Sequence, residues 1–237
     1  MTSLNLYKSR AQARAMAGLA LFTLLAAGSP ARADTLPDVI ERIAPSVVGV
    51  GAAYPPRVPT GGRAARRLLG TGFAVSSPEG SLIVTNAHVI PDDLDTVGRE
   101  HLAIFSGSGR SAMQRVARLL RSDAEHDLAL LSYEGPPLPP MTLASDTPRP
   151  GETVAFTGFP IGAVLGLYPT TQTGIIGAIT PIARPADRGR ELSAVQMRRL
   201  RAPFDVFQLD AIAYPGNSGS AVYRATSGEV IGVMNSV

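Results

Sequence analysis

Three side chains in this sequence have the types needed for nucleophilic acyl transfer, and each stands beside a turn. They are His88 in IVTNAHVI, Asp127 in AEHDLALL and Ser218 in AIAYPGNSGSAV, residues 211–222. An imidazole can take a hydroxyl proton near neutral pH, and a partly buried carboxylate needs a donor such as an imidazole N–H. A serine oxygen at the tip of a tight loop becomes a nucleophile when such a base lies beside it. Each residue also has a plainer use. His88 closes an apolar run predicted as a strand, where a histidine can be purely structural, and Asp127 can cap a turn. Pro-Gly-Asn-Ser-Gly-Ser at 215–220 satisfies ordinary turn chemistry by itself. Asp92, Asp93, Asp95 and Asp123 sit in polar turns and are poorer acids than Asp127, which begins an apolar run.

Order along the chain separates the possibilities. α/β-Hydrolases run serine, acid, histidine, and subtilisins run aspartate, histidine, serine. Histidine, aspartate, serine is the order of two-barrel proteases of the chymotrypsin type, and it is the order here. Metal chemistry has little to work with, because three scattered histidines without cysteine and without an H-E-x-x-H pattern make a poor zinc set. No cofactor is expected.

The elements that must position the three are short. LPDVIERIAP (36–45) reads as a helix, with Pro37 near its start and Pro45 ending it. Six β runs follow at 46–54, 68–77, 81–90, 101–106, 111–120 and 127–134. A proline-rich stretch, GPPLPPMTL at 135–143, separates them from five more at 152–160, 170–183, 205–213, 220–225 and 229–237. Short strands at regular spacing with turn signals between them predict an all-β fold. Six strands, a linker and five strands predict two antiparallel barrels in tandem, about 46–134 and 152–237 with a linker over 135–151. His88 and Asp127 then belong to the first and Ser218 to the second, and the cleft between them is where the three would meet. Arginine-bearing loops at 57–67 and 185–203 interrupt the pattern. They read as solvated, with a short amphipathic helix about 191–200 inside the second.

Residues 1–33 are different in kind. Lys8, Arg10 and Arg14 precede a 13-residue apolar run, Ala15 to Ala27, and Ala31-Arg32-Ala33 offers small residues for cleavage before Asp34. This is the pattern of an export signal, which leaves a domain over 34–237 and a periplasmic or secreted location. No cysteine follows the apolar run to carry a lipid anchor, and no run of 18 apolar residues provides a membrane span. The full chain has 22 basic and 19 acidic residues. Without Lys8, Arg10, Arg14 and Arg32 the balance is 18 against 19, a net charge of −1, so the basic excess belongs to the signal and indicates no nucleic-acid partner. Lacking cysteine altogether, the exported domain must rest on packing and hydrogen bonds.

GTGFAVSS, IVTNAHVI, HDLALL, QLDAIAYPGNSGSAV and GEVIGVMNS resemble the corresponding segments of HtrA/Deg-type trypsin-like serine proteases, and LPDVIERIAPSVVGV resembles the entry to their protease domain. The similarity runs over about 36–237. It implies that Ser218 attacks a peptide carbonyl while His88 accepts its proton. It implies also that Asp127 orients His88, and that the backbone N–H groups of Gly216 and Ser218 form the oxyanion hole. Unfolded or damaged exported polypeptides are the substrates it implies, and a trimer is known in the family. The same resemblance places the floor of the specificity pocket near Ile212, favouring cleavage after small or medium aliphatic residues, and the substrate-pairing edge at Asn235, Ser236 and Val237. Three departures stand out. Ser220 replaces a second glycine, the last strand of the second barrel is missing, and no PDZ domain follows; the sequence is then either a fragment, the favoured reading, or a protein whose second barrel is open on one side. A non-catalytic binding or chaperone-like protein with the same fold, and an esterase, are the competing functions.

Overall fold

A computed structural model describes residues 34–55, 66–78, 80–160, 167–182 and 204–235. The expected export signal, the loop at 57–67 up to its last two residues, the loop at 185–203 with its expected helix, and Ser236 and Val237 lie outside the described residues.

Helix α1 (Leu36–Ile43) begins where Thr35 and Asp38 form a capping box, the Asp38 carboxylate accepting the Thr35 N–H at 2.8 Å. The eleven predicted apolar runs are all strands. They are β1 (Val47–Ala53), β2 (Arg66–Ser77), β3 (Gly80–Thr85), β4 (His101–Ser106), β5 (Met113–Asp123), β6 (Leu128–Tyr133), β7 (Thr153–Gly158), β8 (Thr170–Pro181), β9 (Asp205–Asp210), β10 (Ala221–Arg224) and β11 (Val230–Val233). The first six close into a barrel in the order β1-β2-β3-β6-β5-β4, and the other five form a sheet in the order β11-β10-β7-β8-β9. All pairings within these strands are antiparallel. The architecture is chymotrypsin-like, with five strands in the second unit among the described residues.

Alternation within the strands explains the cores. Val48 and Val50 of β1 meet Ile83, Ile104 and Leu131 inside the first barrel, and Val154, Phe156, Ile176 and Val222 pack inside the second sheet. A third cluster joins the two units: Val39 and Ile43 of α1 with Phe73, Ala155, Ala221 and Tyr223, all buried. Tyr223 is wholly buried there, its hydroxyl shares a hydrogen bond with Thr157 Oγ1 at 2.8 Å, and burial pushes the phenol above its ordinary pKa. The proline-rich segment is a seam between the units. Met141 N–H donates to the Ala74 carbonyl on β2, and Val230 of β11 donates to the Thr142 carbonyl, each at 2.8 Å. Prolines cannot donate to a ladder, so this segment makes isolated bridges, Met141 to Val75 and Leu143 to Val230, instead of a strand.

Candidate active site

β3 ends at Thr85, five residues short of the expected strand, because its next groups are claimed by Asp127. The Ala87 N–H and the Asn86 side-chain amide both donate to the Asp127 carbonyl, at 3.1 and 2.9 Å. The chain then makes one 3-10 turn, Ala87–Val89, with His88 at its centre. Asp127 is in the hairpin turn immediately before β6, not in the strand, and its φ of +55° is unusual for a residue with a side chain. Asp is one of the few residues that tolerate this region, and the conformation lets its carbonyl and its carboxylate both reach the 86–88 turn.

The carboxylate is well occupied. Oδ2 lies 2.6 Å from His88 Nδ1, and Oδ1 accepts the His88 N–H at 3.0 Å. A third donor comes from the other unit, Asn235 Nδ2, 2.9 Å from Oδ2. An ionised carboxylate only accepts, so the proton of a neutral His88 ring sits on Nδ1 and the lone pair on Nε2, the tautomer of a general base. The Asp127 side chain is 14% exposed and that of His88 46%, so the acid is sheltered and the imidazole faces solvent.

Ser218 is buried on the loop that leads into β10. Tyr214, Pro215, Gly216 and Asn217 form a β-turn closed by Asn217 N–H to the Tyr214 carbonyl at 3.0 Å, with Gly216 at φ +99°. Proline second and a positive-φ glycine third are the requirements of a type II turn. The Ser218 carbonyl accepts the Thr71 N–H of β2 at 2.8 Å. Gly70, next to Thr71, is wedged between that same carbonyl and the Val89 side chain; a Cβ there would sit 2.9 Å from the oxygen. The loop of Ser218 and the turn of His88 are thus both packed against one dipeptide of β2.

The remaining expected positions are distributed as follows. Gly216 lies on the Ser218 loop. Ile212 is 68% exposed, while its neighbours Ala211 and Ala213 line an open cavity of about 670 Å³ between β9 and β11, with Phe207, Leu209 and Val233. Asn235 is at the rim of the same cavity, at the end of β11, with its side chain on Asp127. That last contact joins residues 108 positions apart and has no sequence signal. Nor has the second histidine–carboxylate pair: His126 Nδ1 lies 2.7 Å from Asp123 Oδ2, and its ring rests on Phe204 at 4.4 Å. The His126 hydrogen bond holds the Asp123 carboxyl below its usual pKa. His101 instead meets the Arg99 carbonyl at 3.3 Å.

A two-barrel β fold with a histidine–aspartate pair on one barrel and a glycine-bounded serine loop on the other points to a class, the trypsin-like peptidases. Residues 70–233 match the trypsin-like peptidase domain family, and the chain belongs to it. It is 33% identical over 199 residues to the human serine protease HTRA3, an alignment covering 83% of this chain and 39% of that protein. It is also 33% identical over 173 residues to a probable periplasmic serine endoprotease, DegP-like, of Halomonas elongata, covering 73% of this chain and 30% of that protein. The chain therefore spans well under half the length of these HtrA/DegP-type relatives. Among solved structures it is similar to a serine endoprotease from Yersinia pestis, with 28% identity, a TM-score of 0.56 and coverage of 84% of this chain and 57% of that one. A protease from M. tuberculosis in its active form has 25% identity and a TM-score of 0.59, with coverage of 86% and 75%.

Proposed function

We propose that this chain is a serine endopeptidase in which His88, Asp127 and Ser218 form the triad and hydrolysis proceeds through an acyl-enzyme. The observation that carries the reading is the His88–Asp127 pair. The imidazole is fixed in the tautomer that leaves Nε2 basic, on a turn packed against the same two residues of β2 as the Ser218 loop. In the cycle, Ser218 Oγ attacks the peptide carbonyl as its proton passes to His88 Nε2, and Asp127 stabilises the imidazolium. The proton then goes to the leaving amine. Water repeats the sequence on the ester and regenerates the serine. The Gly216 and Ser218 N–H groups take the developing oxyanion.

Residues 1–33 act as an export signal, placing the domain over 34–237 in the periplasm or outside the cell, where unfolded or damaged exported polypeptides are the substrates. The substrate backbone pairs along Asn235, Ser236 and Val237. Its side chain enters the apolar cavity near residues 211–213, favouring small or medium aliphatic groups; a peptide-library profile dominated by Arg or Lys would overturn that preference. The decisive experiment is labelling with a fluorophosphonate. Wild type becomes labelled and cleaves unfolded casein, and Ser218→Ala does neither. A folded wild-type protein that takes no label is a binding protein, and one that hydrolyses small esters but leaves casein intact is an esterase.

A further inference from the structure

The GTGF motif of β2 holds a residue whose side chain the triad does not use. Thr71 is wholly buried in the first barrel, yet its groups converge on the serine loop of the second unit. Its N–H donates to the Ser218 carbonyl at 2.8 Å, and its Oγ1 donates to the Gly216 carbonyl at 2.7 Å. The direction of that second bond is settled locally. Oγ1 also accepts the Phe159 N–H at 3.0 Å, so its one proton is left for Gly216. The Thr71 carbonyl accepts the Thr85 hydroxyl at 2.6 Å.

Resting on the protease reading above, we propose that the Thr71 hydroxyl is a positioning residue for the oxyanion hole. The two N–H groups in question belong to the peptide planes 215–216 and 217–218. Thr71 holds the planes 216–217 and 218–219, through their carbonyls, so each oxyanion-binding N–H adjoins a plane that is pinned. The loop needs this support. Gly216 can take φ of either sign at little cost, so a peptide flip that turned the Gly216 N–H away meets little intrinsic resistance. The Asn217 amide and the Ser220 hydroxyl are buried without a hydrogen-bond partner among the described residues. Two local backbone bonds, Asn217 N–H to the Tyr214 carbonyl and Ser220 N–H to the Asn217 carbonyl, each at 3.0 Å, help hold the planes 216–217 and 217–218. Both lie within the loop, so Thr71 is what ties the Gly216 carbonyl to the first barrel. Gly219 N–H to Met234 and Met234 N–H to Ser220, at 2.9 and 2.8 Å, lie beyond the serine.

The test compares pairs that differ by one hydroxyl in the full chain: wild type against Thr71→Val, and Thr71→Ser against Thr71→Ala. Steady-state kinetics are read together with thermal unfolding and with inhibition by a peptide boronate, whose adduct fills the oxyanion hole. Each hydroxyl-free variant should lose about 10- to 100-fold in kcat with KM changed less than about threefold, less than the hundred- to thousand-fold that follows removal of an oxyanion donor itself. Boronate affinity should fall in parallel, while Thr71→Ser stays within about threefold of wild type. The proposal is overturned if Thr71→Val keeps wild-type kcat, if Thr71→Ser loses as much as Thr71→Ala, or if the loss falls on KM. It is overturned equally if neither hydroxyl-free variant can be recovered folded, since the residue is then structural. Failure of the protease reading looks different: wild type is inert, or Ser218→Ala is labelled like wild type.

Discussion

The two halves of the proposed site are built by different means. The acid–base half is held by side chains: the Asp127 carboxylate collects three donors, and its carbonyl two more. Four of those five donors come from the 86–88 turn, so this half is nearly complete within the first barrel. The serine half is held by backbone: a turn with glycine at positive φ, a second positive-φ glycine at 219, and carbonyls bonded to a residue of the other unit. The proposed base and its acid are therefore held mainly by contacts within the first barrel, whereas the serine loop depends on contacts between the two units.

Asp127→Asn is the strongest way to break the first half. The amide keeps the shape of the carboxylate but can present an N–H to His88 Nδ1, which favours the tautomer with the proton on Nε2. Turnover should fall about ten-thousand-fold with thermal unfolding little changed. A loss under about tenfold would mean that the pair does not orient the base.

Gly219→Ala attacks the second half through its backbone. Gly219 has φ +86°, and a Cβ there would collide with the Thr71 carbonyl and the Thr85 hydroxyl. The strain should cost about 3 kcal/mol, seen as a drop of about 6–12 °C in Tm, together with loss of activity. The matched outcome is what sharpens the contrast: damage to the serine half lowers stability and turnover together, while damage at Asp127 lowers turnover alone.

Among the described residues, Asn235 is the one donor to Asp127 that comes from the second unit, so Asn235→Ala measures how far that half is self-sufficient. A hydrogen bond to a charged group contributes about 1.5–3 kcal/mol, and with two His88 donors remaining, kcat should fall about tenfold. If kcat is unchanged, the first barrel holds its acid unaided. A loss as large as that of Asp127→Asn would make Asn235 an equal partner in orienting the base.

How much of this was legible in the sequence follows the same division. The strands were, because each apolar run is bounded by turn residues, and His88, Asp127 and Ser218 stood out as candidates because of their flanking motifs and their order along the chain. What the sequence concealed are the contacts made by backbone and by distant side chains. The strand through residue 90 stops at Thr85 because a carbonyl 41 residues away takes its next donors. Asn235 was expected as an edge for substrate, and its side chain reaches the acid. Thr71 looks like any β-branched strand residue until the second unit is packed against it.

The smallest effect lies away from the site, where each unit has one arginine gathering carboxylates. Arg67 in the first barrel bonds Glu100 and Asp93, and these raise its pKa further. Arg224 in the second unit bonds Asp146 on the seam and Glu152 before β7. Asp146 is held below its ordinary pKa chiefly by the Arg224 side chain. Glu152 is lowered first by the Arg149 N–H and then by Arg224. For carboxyls depressed in the folded state, the stabilisation is complete above their unfolded values of 3.8 and 4.5 and fades as pH falls through the lower folded values. Arg224→Met should therefore lower Tm modestly at pH 7, with the gap to wild type closing as the solution is taken below about pH 4. These pairs are open to water and salt, so the shift at pH 7 should be a few degrees at most and should shrink in high salt. A gap that stays constant into acid would assign the Arg224 contribution to packing of its stem instead of charge. If kcat of the variant holds at pH 7, the serine loop depends on the docked interface of the two units and not on the far end of β10, the strand that follows it.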